Sequence, residues 1–474
     1  MTSPAPSTAA SPAGGPGIMA RQYRPVTFGI LSFVLLFAFE GMGVATVMPL
    51  TVDELGGLPY YAWSFTAYLI ASMYGMVVSG EMSDRRGPRP SFMLGVGLFV
   101  AGLLIAGAAE SMLMFVLARV IQGVGGGTAI VALYVLVGRV YPDDIRPKMF
   151  AALAYAWIVP GLLGPFVAGW IAETWSWRLV FLGVPIFVVP VLFLLMPRLH
   201  GFEPDREVPP RAQRKRLALA AAVGAGLLQY AGQHLRWLSL LILAAAFALL
   251  VPSVPKLLPR GTLRFRRGIP TIVAMRGVLA GAFFGAESFV PLMLVRERGL
   301  SAQAAGLALT GAAVSWSLGS WYQGRQHRRL RRDQLVPLGS ALVAAAILAL
   351  TLVLIPAVPP LLAALAWATA AVGMGMSIAS LSVLLFEQSP TSEQGANSAA
   401  IQVSDALGSI VFVGLAGAIF AATYDTAGKA TFVVINLVMA ALAVVGALLG
   451  SRVRPADAPR PVPEVAPAAA YQAR

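Results

Sequence analysis

Four ionisable side chains stand in stretches that are otherwise apolar: Glu40 in "FAFEGMGV", Arg119 in "FVLARVIQG", Glu287 in "GAESFV" and Asp405 in "IQVSDALGS". A charge at the centre of a membrane-spanning helix costs about 2.5–3.5 kcal/mol on insertion scales, so such residues usually face a cavity and serve function. The chemistry open to carboxylates there is proton exchange and ion pairing. Desolvation disfavours the charged form, and a nearby cation such as Arg119 restores it. Other chemistries lack their residues. There is no cysteine, so disulfides, thiolate metal sites and a cysteine nucleophile are excluded. His200, His234 and His327 are scattered without metal-ligand spacing, and no nucleophile–base pair is evident, so neither a metal site nor an enzyme is expected. "GVGGGT" lacks the Lys-Ser/Thr of a phosphate loop and no strand precedes it, which excludes ATP as the energy source. The expected cofactor is none.

The elements that must carry these groups follow from composition. Of 474 residues 58% are hydrophobic and 12% charged, against about 25% charged in soluble domains. With a mean hydropathy of +0.75, the chain reads as a membrane protein. The net charge of +14 sits in short runs between apolar segments, which points to orientation in a bilayer rather than to nucleic acid. Fourteen spans of about 20 apolar residues are expected near 27–50, 60–82, 91–109, 112–138, 149–172, 178–196, 217–235, 237–255, 270–294, 302–324, 335–356, 360–386, 397–422 and 431–450. Residues 217–255 taken as one helix would be about 58 Å long, too long for a core of about 30 Å, so "GQHLR" is read as a turn. With both termini inside, the cytoplasmic segments hold 26 Lys or Arg and the external loops only Arg178, Arg236, Arg296, Arg298 and Lys429.

"TVMPLTVDELGGL" at 46–58 aligns with "SFVPLMLVRERGL" at 288–300, matching Pro49/Pro291, Leu50/Leu292, Gly57/Gly299 and Leu58/Leu300 at an offset of 242. Two related six-helix halves are expected, with the substrate site between them. The expected organisation is a disordered tail over 1–24, a first bundle over 25–197 and linkers with an inserted hairpin (217–255) over 198–269. A second bundle over 270–451 and a second tail over 452–474 complete it. The fold class expected is all-α, two six-helix bundles with an extra central helical hairpin.

"GEMSDRRGPRP" at 80–90 lies at the inner end of span 2. Positive-inside topology explains its arginines but needs neither the aspartate nor the glycines. Gly80, Asp84, Arg85, Gly87 and Arg89 resemble the signature loop of the major facilitator superfamily, G-x-x-x-D-R-x-G-R-R/K, with Pro88 inserted and Pro90 in the last basic position. Arg119, Gln122 and Gly123, with Gly125 beyond them, resemble the family's helix 4 motif, R-x-x-Q-G. Gly161, Gly164, Pro165 and Gly169 resemble its helix 5 antiporter motif, with Ala168 where a glycine is usual. "WSWRLVFLGVP" at 175–185 adds the W-R-x-x-F pattern of the family.

The resemblance is to the fourteen-helix drug:proton antiporter branch, and it implies alternating access. The loop would then be a gate in which Asp84 meets a helix N-terminus of the other half, span 13 near Asn397 being the candidate; such a contact contributes about 0.3–1 kcal/mol. It implies a proton-coupling role for Glu40 and Arg119, with Glu287 and Asp405 as further candidates. Tyr68, Met73, Trp157, Phe284, Trp316 and Met374 are candidates for an adaptable apolar cavity lining. The partners expected are a hydrophobic or amphipathic small molecule, protons and the lipid bilayer of the cell membrane, with the chain acting as a monomer. Importing by symport or facilitated diffusion is the first alternative. A sensor or lipid-handling protein on the same fold is the second.

Overall fold

The computed structural model describes residues 17–142, 145–196, 212–233, 237–325, 330–390 and 393–455. Most of the expected tails and of the loop 198–216 lie outside these residues, as do His200, His234 and His327. Among the described residues there are fourteen helical elements in the expected order and no strand. The first eight are α1 (Arg24–Leu55), α2 (Trp63–Arg86), α3 (Pro88–Gly107), α4 (Met112–Val140), α5 (Arg146–Thr174), α6 (Arg178–Leu195), α7 (Ala212–Gln233) and α8 (Trp237–Leu257). α9 comes in two segments, Ile269–Glu287 and Val290–Arg298, and so does α10, Ala302–Thr310 and Ala312–Gly324. α11 (Arg332–Leu352), α12 (Leu361–Gln388), α13 (Gln394–Ala427) and α14 (Ala430–Leu449) complete the chain.

Twelve of these elements are singly long and apolar enough to cross a membrane. α7 and α10 fall short for local reasons. α7 starts on "AQRKR", and α10 is interrupted at Gly311.

In the first half α4 packs on both α2 and α3, and α1 packs on α5 and α6. In the second half α9 packs on α13 and α14, and α12 packs on α10 and α11. Between the halves the main pairings are α5 with α10 and α2 with α13. Moving each helix by eight places turns one pairing into the other, as a two-fold relation between parallel repeats requires. α7 and α8 pack on each other, and α7 also lies against α2 and α13.

The glycines of α4 serve close approach rather than phosphate binding. A Cβ at Gly127 would run into the Ser72 carbonyl of α2, and one at Gly125 into the backbone of Phe99 on α3. Even a small side chain would push these helices apart.

The repeat at 46–58 and 288–300 takes different shapes in the two halves. α1 runs unbroken through Pro49 and ends at Gly56 with φ 64°. The second segment of α9 also ends on a glycine at φ 64°, Gly299, but α9 is broken before Pro291. Proline has no N–H to donate to the carbonyl four residues earlier, so a break there is inexpensive.

Candidate functional site

The centre of the first half is a buried charge cluster. Glu40 on α1 is 1% exposed and Arg119 on α4 is 3% exposed, so neither charge is screened by water. Arg119 Nη1 donates to Glu40 Oε1 at 2.5 Å and to Gln122 Oε1 at 2.6 Å. Its Nε donates to the Ser64 carbonyl at 2.9 Å, and its guanidinium lies 4.6 Å from the centre of the Tyr68 ring. Arginine and glutamine three apart in sequence lie on one face of α4, so the R-x-x-Q spacing lets Gln122 hold the guanidinium that meets Glu40. The charges of this cluster balance. One polar atom is left over, Gln122 Nε2, which is buried without a hydrogen-bond partner.

The second half holds its acids differently. Glu287 ends the first segment of α9, and its Oε1 accepts from Trp367 Nε1 of α12 at 3.4 Å. No ion pair is described for it. Trp367 is fully buried and stacks on Phe283 at 4.5 Å, and Phe283 meets Trp316 edge-on at 5.7 Å. Asp405 on α13 pairs with Arg276 of α9 at 3.2 Å, and its side chain remains 30% exposed. Arg276 carries the same signal as Arg119, a charge inside an apolar span, and belongs with the residues singled out from sequence.

The two halves meet through the turn before α2. Tyr61 is fully buried and its hydroxyl donates to the Ser288 carbonyl at 2.7 Å. That carbonyl lies at the break in α9, one residue after Glu287. The Ser64 N–H in turn donates to the Tyr61 carbonyl at 3.2 Å. A run of hydrogen bonds thus leads from Arg119 through Ser64 and Tyr61 to the neighbour of Glu287.

Around this run Tyr61 contacts Phe65, Phe289 and Phe420, with ring centres 5.4, 5.2 and 6.4 Å away. Arg296 pairs with Asp53 across the same boundary, and Glu173 accepts from the Gln303 backbone N–H at 2.7 Å. These contacts join the two halves at the end of the bundle opposite the chain termini. None of Tyr61, Ser64, Ser288 or Trp367 was evident from sequence, because their contacts join segments more than fifty residues apart.

The helix 5 motif sits on the boundary between halves. A Cβ at Gly169 would come 2.7 Å from Gln303 Cα, and one at Gly161 would run into Ala313 of α10. A Cβ on Gly306 of α10 would press on the Pro165 carbonyl, while Gly164 faces Met42 and Phe39 at ordinary contact distance. Ala168 is fully buried and meets Gly43 of α1 instead. Its departure from the family glycine therefore lies inside the first half, away from α10.

At the termini end, Glu81 is 8% exposed and accepts from Lys215 Nζ of α7 at 2.9 Å, with Arg85 3.9 Å away. Asp84 is half-buried and makes no hydrogen bond or ion pair among the described residues. Asn397 is buried near the start of α13 and donates to Ser389 Oγ at 3.0 Å. Gly87 takes φ 79°, which favours glycine, and a Cβ at Gly80 would meet open space. Arg89 lies in the first turn of α3, half-buried. Gly123 lets α4 reach the Tyr68 carbonyl of α2.

Of the cavity candidates, Tyr68 belongs to the Arg119 cluster. Trp157, Phe284 and Trp316 are half-buried, with Trp157 edge-on to Phe37 at 6.0 Å. Met73 and Met374 are buried against neighbouring helices in this conformation. Met73 is 3% exposed and packs with Ala221, Ala222 and Ala225 of α7, and Met374 is 1% exposed in the core of the second half. Side-chain type could not tell which face of the helix each residue occupies.

The sequence matches the profile of the Major Facilitator Superfamily over residues 29–413. The chain belongs to that superfamily. Multidrug transporter protein MdtP of Bacillus subtilis (strain 168) is 24% identical over 405 residues, 82% of this chain and 74% of that protein. Multidrug resistance protein 3 of the same organism is 26% identical over 309 residues, 63% of this chain and 60% of that protein. The match to the latter thus spans less than two thirds of its length. Among solved structures, a POT family transporter in complex with 5-aminolevulinic acid superposes with a TM-score of 0.67 at 14% identity, covering 92% of this chain and 97% of that one. A D-xylose-proton symporter gives 0.65 at 18% identity, covering 92% and 98%. These likenesses establish the fold. The chain is a multi-pass membrane transport protein of the superfamily and not an enzyme.

Proposed function

We propose that this transporter exports hydrophobic or amphipathic small molecules in exchange for protons, by alternating access. The observation that carries the reading is the run of contacts joining the buried Glu40–Arg119 pair of one half to Glu287 of the other through Ser64, Tyr61 and Ser288. The names of relatives as multidrug transporters, and the placing of the helix 5 motif on the boundary between halves, support the direction of transport.

The two acids differ in what a proton would do. Protonating Glu40 strands Arg119 as a buried uncompensated charge, which is costly. Protonating Glu287 strands nothing, since its described partner is a neutral indole. Glu287 is therefore the coupling acid in this reading, and a cationic or amphipathic substrate competes with the proton for it. The Glu40–Arg119 pair holds the turn before α2 in the position that lets Tyr61 close the seal. Loss of the Tyr61–Ser288 contact opens that end.

In this reading the distribution of basic segments supports an orientation with both termini in the cytoplasm and the Tyr61 contacts outside, and the conformation described is then the one closed to the exterior. In the opposite conformation the loop around Asp84 closes the cytoplasmic end, while Glu81 and Lys215 tie the inserted hairpin to it. The bundles then run over 25–197 and 270–451, with the hairpin between them. One chain suffices, since the site lies between halves of the same molecule.

The test is transport in inverted membrane vesicles with a panel of amphipathic dyes and an imposed pH gradient. Accumulation of at least one dye, abolished when the gradient is collapsed, is the expected result. Dye movement that ignores the gradient would refute proton antiport.

A further inference from the structure

Away from the charge clusters, a cavity of about 540 Å³ lies between the inserted hairpin and the second bundle. Its walls include Gln229 and Gly232 of α7, Leu240 and Leu243 of α8, and Ile410 and Gly414 of α13. The volume falls within the roughly 300–1,000 Å³ of small-molecule sites. The lining is almost wholly apolar, and Leu240 is 70% exposed on its outer edge, where the bilayer lies.

Two residues of the wall are polar, Ser239 and Gln229, and the unsatisfied one is Gln229. It is 5% exposed, and neither Oε1 nor Nε2 has a hydrogen-bond partner. A carboxamide buried without partners is costly, and more so in hydrocarbon, where no water can reach it. It lies over Gly414, where a Cβ would stand 3.5 Å from Gln229 Oε1. The absent side chain at 414 leaves the space beside the carboxamide open. The amide offers both an acceptor and donors. Only a group that can donate and accept at once satisfies it.

We infer that this cavity is a binding site for a neutral single-chain amphiphile drawn from the bilayer. Its apolar chain fills the space between α7, α8 and α13, and its hydroxyl, amide or protonated carboxyl group pairs with Gln229. The site is distinct from the one between the two bundles, and the inference does not rest on proton antiport. Its occupant would bridge the hairpin and α13, giving the inserted helices a role that the two bundles do not supply.

The experiment uses the full chain in lipid nanodiscs and a long-chain alcohol bearing a mid-chain photoreactive group. The matched alkane without the hydroxyl is the control. Cross-links are mapped by mass spectrometry. The alcohol is expected to label residues 410–418 saturably, competed by unlabelled alcohol, while the alkane labels weakly and without saturation. Gln229→Leu keeps size and suits an apolar setting, so it should fold; alcohol affinity should fall about three- to tenfold, the worth of one hydrogen bond. Gly414→Leu places its first carbon at ordinary contact distance and fills the cavity, so saturable labelling should vanish. Equal, unsaturable labelling by both probes would show bulk lipid only and overturn the inference. So would unchanged alcohol affinity in Gln229→Leu.

Discussion

In the first half Glu40 has an arginine beside it, the arginine has a glutamine and a backbone carbonyl, and all of them are buried. In the second half Glu287 has one neutral partner at 3.4 Å, and Asp405 shares a part-exposed pair with Arg276. The backbone differs in the same sense. Pro49 sits in an unbroken α1, whereas α9 breaks before Pro291 and exposes a carbonyl that Tyr61 takes up. In the proposed reading the two halves divide the labour. One fixes its charge in a closed network, and the other holds its acid on a single neutral partner beside a break in its helix. A closed network is a rigid support and a poor proton carrier, because any change of charge leaves a buried partner uncompensated.

The contrast can be broken most severely at Arg119. Arg119→Met leaves Glu40 buried without its cation and should cost about 3–5 kcal/mol of stability, read as a fall in thermal unfolding temperature in detergent. Glu40→Gln combined with Arg119→Met should recover most of that loss, since both charges are then gone. If the single variant unfolds like the parent, the network is not the support described here.

A smaller effect is expected where the halves meet. Tyr61→Phe leaves the buried Ser288 carbonyl unpaired, at a cost of about 1–3 kcal/mol to the sealed conformation. A cysteine placed at Ala62, which is 2% exposed, should then react with an external thiol reagent roughly tenfold faster or more. Unchanged reactivity would remove Tyr61 from the seal. The least effect belongs to Asp53→Asn. Its pair with Arg296 crosses the same boundary, but the two side chains are 45% and 35% exposed. The expected change in the same accessibility assay corresponds to about 0.2–1 kcal/mol. A loss as large as that of Tyr61→Phe would mean that the ion pair, and not the aromatic cluster, holds the outer end.

How much of this was legible beforehand follows from the range of each interaction. The fourteen helices were legible because each is written in a local run of apolar residues; the turn read at "GQHLR" lies largely outside the described residues, between the end of α7 at Gln233 and the start of α8 at Trp237. Glu40 and Arg119 stood out because a charge in an apolar span is unusual wherever it points, and Gln122 through its resemblance to the R-x-x-Q-G motif. A pairing of Arg119 with a group on the first helix was one reading of the residues, but its geometry was not legible, since it depends on how α1 and α4 are rotated against each other. The same limit hid Tyr61, Ser288 and Trp367, and it hid the packing of Met73 on α7 and of Met374 in the core. Glu81 was visible as one charge of the loop at 80–90, but its partner Lys215 is 134 positions away and was counted only for topology. Arg276 was open to the reasoning that found Arg119.

The most direct measurement of the account compares Glu287→Gln with the parent in proteoliposomes, using an amphipathic dye that the parent exports. Two rates are read for each protein: dye movement driven uphill by a pH gradient, and dye-for-dye exchange at equal pH on both sides. Glutamine keeps the shape of the glutamate and can still accept from Trp367, but it cannot release a proton. Glu287→Gln is expected to keep exchange and lose uphill transport. Uphill transport equal to that of the parent would contradict it and leave Asp405 or the Glu40–Arg119 pair to carry the coupling.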